Sequence, residues 1–206
     1  MSTPVSAPSG THKDYEGAKL GMWLFLFTEI LLFGGLFILY SAYRARYPLE
    51  FDDSGQHLNL FIGVLNTVIL LTSSLTVALS IAALQKGNRR LSMLCLASTI
   101  LLGAAFLLDK YIEWSGEIHH GLYPNSPILL QKAQGEKIFF GLYYSMTGLH
   151  GLHVLAGISV LSVMFVFLVR GKVSSTDFNK LENAGLYWHL VDVIWIFLLP
   201  LFYLAA

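Results

Sequence analysis

Four groups of polar residues lie inside otherwise apolar stretches of this 206-residue chain, and each has a spacing that could do chemistry. Glu29 stands near the middle of the run 20–43 and is the one charged residue in it. A carboxylate at bilayer depth costs roughly 2.5–3.5 kcal/mol, and burial favours its neutral form. Two roles stay open for it: a proton-linked or partner-contacting acid, or a buried acid satisfied by a neighbouring helix. His150 and His153 in GLHGLHVLAG are three residues apart and so share a helix surface, with Thr147 and Gly157 extending the stripe. His189 and Asp192 in YWHLVDVIW repeat that spacing between Trp188 and Trp195. They can meet each other or reach His150 or His153. Such pairs could in principle ligate metal, but a di-iron bundle takes Glu-x-x-His from two helices and two further Glu. This chain has His-x-x-His and His-x-x-Asp instead, so no metal is expected. Hydrogen bonding between helices, or contact with lipid head groups, is the expected use. The fourth group is Asp109, Glu113 and Glu117, which recur every four residues with Lys110 beside them. It reads as a solvated helix end or as a charged rim against a partner subunit. No catalytic residue is expected.

The elements that must position these residues are membrane helices. Apolar residues make up 55% of the sequence and charged ones 13%, about half the soluble norm of roughly 25%, and mean hydropathy is +0.61. Five apolar segments follow one another, at about 20–43, 58–84, 91–114, 138–169 and 183–205. Each can cross a hydrocarbon core of roughly 30 Å, and lipid leaves a spanning backbone no choice but the helix. The fourth is long enough that it must tilt or project. The class is an all-α membrane protein, a bundle of five transmembrane helices. Residues 15–206 form one domain, and 1–14, rich in Ser, Thr and Pro with no basic n-region, read as a disordered tail rather than a cleaved signal. The stretch 115–137, with HHGLYPNSP, is too polar for lipid. Cys95 is the single cysteine and cannot form an internal disulfide.

Loop cations set the orientation. Lys13, Lys19, Lys86, Arg89, Arg90, Arg170, Lys172 and Lys180 fall on the N-terminal side. Arg44, Arg46, Lys110, Lys132 and Lys137 fall on the other, diluted by acids, so the N-terminus is expected in the cytoplasm and the C-terminus outside. Trp23, Tyr40, Tyr43, Trp114 and Tyr187 lie near segment ends, where aromatic belts belong. Gly63, Asn66, Ser73 and Ser80 share one face of the second segment and suit close helix packing. Lys+Arg and Asp+Glu balance at 13 each, which argues neither for nor against a nucleic-acid or acidic partner, and no nucleic-acid partner is expected. No inverted repeat or Gly/Pro-broken helix pair marks an independent transporter.

These segments, in this order, resemble subunit III of the haem-copper oxidases, the cytochrome c oxidase type. GMWLFLFTEILLFGGLF, GVLNTVILLTSSLTV, KYIEW followed by HHGLYP, and above all GLHGLHVLAG and YWHLVDVIW carry the resemblance, over residues 15 to 206. It implies a non-catalytic subunit of a proton-pumping terminal oxidase in the bacterial inner membrane, without haem or copper of its own. Those cofactors would lie in the partner subunits I and II. Glu29 would match the family's carbodiimide-reactive acid, and Asn66, Glu113, His150, His153, Trp188, His189 and Asp192 structural polar or lipid-contacting positions. The family's roles follow as expectations: holding phospholipid in a cleft, flanking proton uptake and protecting the oxidase in turnover. The long family form has seven spans and this chain begins at the third, which removes one wall of the expected lipid cleft. Quinol oxidase and nitric-oxide-reductase-associated homologues are alternatives. Quinol oxidase versions often carry Asp where Glu29 stands, which tilts the expected electron donor towards cytochrome c.

Overall fold

A computed structural model of the protein describes residues 15–173 and 178–204; the expected disordered tail at 1–14 lies outside them. Among these residues there are seven α-helices: α1 Tyr15–Arg46, α2 Pro48–Gln56, α3 Leu60–Gln85, α4 Arg89–His119, α5 Pro127–Gln131, α6 Gln134–Val169 and α7 Asn179–Leu199, the last running into a π-helical turn, Pro200–Leu204. Five of these helices are long and apolar enough to cross a membrane, matching the five segments read from sequence. Successive spans alternate in direction, so the α3–α4 and α6–α7 connections lie on the side where α1 begins. The α1–α3 and α4–α6 connections, with α2 and α5, lie on the opposite side.

The helix ends are set by local chemistry. Asn59 opens α3, its side chain accepting from the N–H groups of Phe61 and Ile62, and Asn88 opens α4 by accepting from Leu91. Gly87 closes α3 at φ 77°, a left-handed conformation that lets Asn88 N–H reach back to Ala83 C=O at 2.9 Å. Arg89 fastens the same side of the bundle, donating to Leu168 C=O at 2.9 Å and Val169 C=O at 2.7 Å at the end of α6.

Helices α3, α4, α6 and α7 form a packed core, while α1 lies against α6 and α7 and is the least buried span. Trp188 and Trp195 of α7 fill the centre. The indole of Trp188 fits because Gly103 and Gly157 face it: a Cβ on either would lie 2.6 and 2.8 Å from the ring. Trp188 donates to Ser73 Oγ at 2.9 Å and Trp195 to Thr67 Oγ1 at 3.0 Å. The small-residue face of α3 is thus consumed inside the chain: Gly63 lies under Tyr203, Ser73 receives Trp188, and Ser80 donates to Ser92 C=O at 2.9 Å.

The connections carry further helix, and one expectation, for two belt residues, changes. The polar stretch 115–137 is largely helical, because α4 continues to His119, α6 starts at Gln134, and Ser126 with Pro127 nucleates α5. The α1–α3 connection contains α2, whose Phe51 inserts edge-on between Tyr40 and Phe139. Tyr40 and Tyr187 are core residues rather than belt residues, since they lie on inward faces; Tyr40 O–H donates to Leu201 C=O. Trp23 is exposed, as a belt residue should be.

Candidate functional site

Among the described residues, the ionisable side chains inside the spanning region fall into separate groups. The first joins α1 to α6. His153 Nε2 is 2.9 Å from Glu29 Oε2, and His153 Nδ1 is 2.7 Å from Leu149 C=O one turn earlier. Phe33 meets the imidazole edge-on with ring centroids 5.3 Å apart, and Tyr187 O–H donates to His153 C=O at 3.2 Å. The acid of the first segment is therefore satisfied within the chain, by a residue on the fourth.

The second cluster is built on α4. Lys110 Nζ donates to Glu113 Oε2 at 3.0 Å, to Tyr203 Oη at 2.8 Å and to Tyr143 Oη at 3.3 Å. Tyr143 O–H donates to Glu113 Oε1 at 2.5 Å, and Tyr203 O–H donates to the same oxygen. The ammonium lies 5.0 Å from the centroid of the Trp195 ring, a cation–π contact. Its three protons all have acceptors, both Glu113 oxygens are engaged, and the pair is buried. Such a closed network suits fastening better than reaction: it ties α4 and α6 to the π-helical turn after α7.

This cluster corrects the expectation for the Asp109, Glu113 and Glu117 face. Glu113 and Glu117 are buried in the bundle and Asp109 is only half-buried, while Lys110 points inward. Neither a solvated end nor a partner-facing rim describes it. Lys110 therefore drops out of the loop charges counted for orientation. The stripe Leu96, Thr99, Gly103, Phe106, Lys110, Glu113, Glu117 follows a 3-4 spacing and is buried throughout. That continuation of the apolar face was the available signal for Lys110. Tyr143 and Tyr203 had none.

The remaining polar residues do not form the direct contacts that the i,i+3 spacing suggested, although Ser74 of α3 reaches both His189 and Asp192. His189 Nδ1 lies 2.6 Å from Ser74 Oγ on α3 instead of meeting Asp192, His150 or His153. Asp192 is buried on α7 with Oδ1 unpartnered among the described residues. His150 is fully buried, with its ring 5.3 Å from Trp195 and 5.5 Å from Phe106, centroid to centroid. Asn66 is likewise fully buried. Asn66, His150 and Trp188 are thus buried among the chain's own groups. Among the described residues, no group of three or more His, Cys, Asp or Glu side chains is placed to hold a metal ion.

Beside the first cluster, a groove of about 460 Å³ runs between α1, α6 and α7. Met22, Phe25, Ala156, Val160 and Tyr187 line it, and Lys180 lies at the end towards the start of α1.

The sequence profile of the family described as Cytochrome c oxidase subunit III matches residues 6–206. The chain is 33% identical over 201 residues to Cytochrome c oxidase subunit 3 of Alkalihalophilus pseudofirmus, covering 98% of this chain and 93% of that one. It is 33% identical to the protein of the same name from Thermostichus vulcanus, covering 95% and 90%. It is also 27% identical to the Heme-copper oxidase subunit I+III of Aeropyrum pernix, covering 91% of this chain and 22% of that protein.

Proposed function

Because the chain belongs to the cytochrome c oxidase subunit III family and is a multi-pass subunit III of a haem-copper oxidase, we propose that it acts as a non-catalytic stabiliser of subunit I. In this reading it sits beside subunits I and II in a bacterial plasma membrane, with its N-terminus in the cytoplasm. Haem and copper belong to those partners, and this chain supplies structure, bound phospholipid and support for proton uptake.

The observation that carries the reading is the match along residues 6–206 to subunit III, reinforced by the relative from Aeropyrum pernix in which subunits I and III are one protein. The packing supports it. The first span is the least buried of the five and leaves Leu20, Leu24, Phe27, Leu31 and Ile38 exposed, as a helix would that has further protein or lipid to cover it. The groove beside Phe25 and Tyr187 has walls for an acyl chain and Lys180 for an anionic head group. Glu29 and His153, which meet at 2.9 Å between α1 and α6, are the groups that could exchange a proton. Glu113, Asp192, Asn66, His150, Trp188 and His189 act as internal structure.

The test is purification in mild detergent through a tag on this chain. Subunits I and II should accompany it, with their haem spectrum. Recovery of the chain alone, from cells whose oxidase is intact, would remove the proposal.

A further inference from the structure

Near the middle of their spans, Leu60–Gln85 and Asn179–Leu204, Ser74 of α3 and His189 of α7 meet at 2.6 Å through Oγ and Nδ1. On that edge His189 belongs to the interior. Its Nε2, on the other edge of the half-buried ring, has no partner among the described residues and is not enclosed by them. Hydroxyls elsewhere on the outer faces are satisfied by their own helices. Thr28, Ser41, Thr72, Ser98 and Ser159 each donate to a carbonyl three or four residues earlier, at 2.6–3.0 Å. His189 Nε2 has no such closure, and a polar group left alone in hydrocarbon is expensive.

A neutral imidazole has one N–H and one lone pair, so Nε2 takes whichever role Nδ1 leaves. Ser74 also reaches Asp192, whose Oδ1 is buried without a partner among the described residues. An ionised Asp192 would set a lone charge in the hydrocarbon. In the uncharged arrangement Asp192 O–H donates to Ser74 Oγ, the Ser74 hydroxyl donates to His189 Nδ1, and the imidazole proton falls on Nε2. The outward edge is then a hydrogen-bond donor. The seam around it is apolar: Leu71 and Ala78 flank Ser74 on α3, Val193 and Ile196 follow His189 on α7, and all four are exposed.

We propose that this seam between α3 and α7 docks a transmembrane helix of a partner subunit, which presents a hydrogen-bond acceptor at mid-depth to His189 Nε2–H. The acceptor is a hydroxyl or amide oxygen of a side chain, or a backbone carbonyl freed at a kink. Lipid does not supply it, because head groups lie about 15 Å away, half of the roughly 30 Å core. A second copy of this chain docked on the same seam would set N–H against N–H. The partner is therefore a different chain. This deepens the subunit III reading and rests on it for the identity of the complex.

Photocrosslinking in the oxidase purified through this chain tests the surface with His189 intact. A benzophenone side chain placed at Leu71 or at Ile196 should form an adduct with a membrane-spanning peptide of another subunit, identified by mass spectrometry. Adducts with lipid only, or with a second copy of this chain, would overturn the proposal. Dissociation from the complex in mild detergent gives the second measurement. His189→Leu, which has no donor, should leave roughly three- to twentyfold faster, as one hydrogen bond between membrane helices allows. His189→Gln, whose amide keeps an N–H, should stay near wild type. If His189→Leu does not assemble, the crosslinks and His189→Gln decide; if it dissociates at the wild-type rate, Nε2 is not the docking group and the proposal fails. Haem and subunits I and II in the preparation report the subunit III reading separately. A haem-containing preparation with lipid adducts alone removes the surface and keeps that reading, whereas a crosslinked spanning helix from a complex without haem does the reverse.

Discussion

Removing the ammonium of Lys110 should be among the most damaging single changes in this protein. Lys110→Met keeps much of the side-chain length but deletes the donor of three hydrogen bonds, to Glu113, Tyr143 and Tyr203. Glu113 would remain buried, with two tyrosine donors and no countercharge. Breaking a buried pair by removing one partner costs about 3–5 kcal/mol, because the survivor stays desolvated. Tyr203→Phe keeps the ion pair and removes one bridging hydroxyl, for which hydrogen bonds to charged groups suggest about 1.5–3 kcal/mol. Lys110→Met combined with Glu113→Leu removes both charges and should recover most of the loss, since apolar replacements of buried pairs are often neutral or stabilising. The assay is the temperature at which this chain leaves the purified oxidase in mild detergent. The expected order is wild type close to the double variant, then Tyr203→Phe, then Lys110→Met lowest. If Lys110→Met matched wild type, or if the double variant lost the sum of the two single losses, the charges would not be acting as a pair.

Gly157→Ala should cost about 1–3 kcal/mol, because the added methyl would meet Trp188 at 2.8 Å in a filled core; the dissociation temperature of the subunit should fall, and Gly151→Ala, with open space at its Cβ, should leave it unchanged. Asp192→Asn should lower the yield of assembled oxidase more than the turnover of assembled molecules, measured as haem-normalised oxygen consumption; a fully assembled but inactive variant would contradict a structural role. Arg89→Ala removes two hydrogen bonds to the end of α6 and should destabilise by roughly 1–3 kcal/mol, visible as faster proteolysis of the α6–α7 connection.

The five spans were legible because their signal is length and hydropathy, and lipid permits no alternative to the helix for such runs. The short helices were harder. Pro48 and Ser126–Pro127 are ordinary helix starts, but α2 owes its place to Phe51 entering the ring cluster of Tyr40 and Phe139, contacts from distant parts of the chain. Aromatic residues near segment ends misled for a related reason. Position along a helix selects the belt, whereas the direction of the side chain decides between belt and core, and Tyr40 and Tyr187 point inward.

The polar residues show the same division more sharply. Helical periodicity says which residues share a face, and on α4 it placed Glu113 and Glu117 together; extended from Gly103 and Phe106, it also turns Lys110 inward. What periodicity cannot supply is the axial register between helices. His189 and Asp192 are neighbours on α7, but the height at which α7 crosses α3 brings His189 to Ser74. Likewise Glu29 and His153 are 124 residues apart, and only the packing of α1 on α6 puts carboxyl and imidazole at one depth. A membrane interior rewards such a match strongly, because each polar group left without a partner there costs several kcal/mol. The register of α1 against α6 is therefore set in part by this pair. The helix with the least buried surface is located by this contact, by Leu26 and Phe33 in the core and by Tyr40 near its far end, and its outer face, with Leu20, Leu24, Phe27, Leu31 and Ile38 exposed, is open to a partner subunit or lipid.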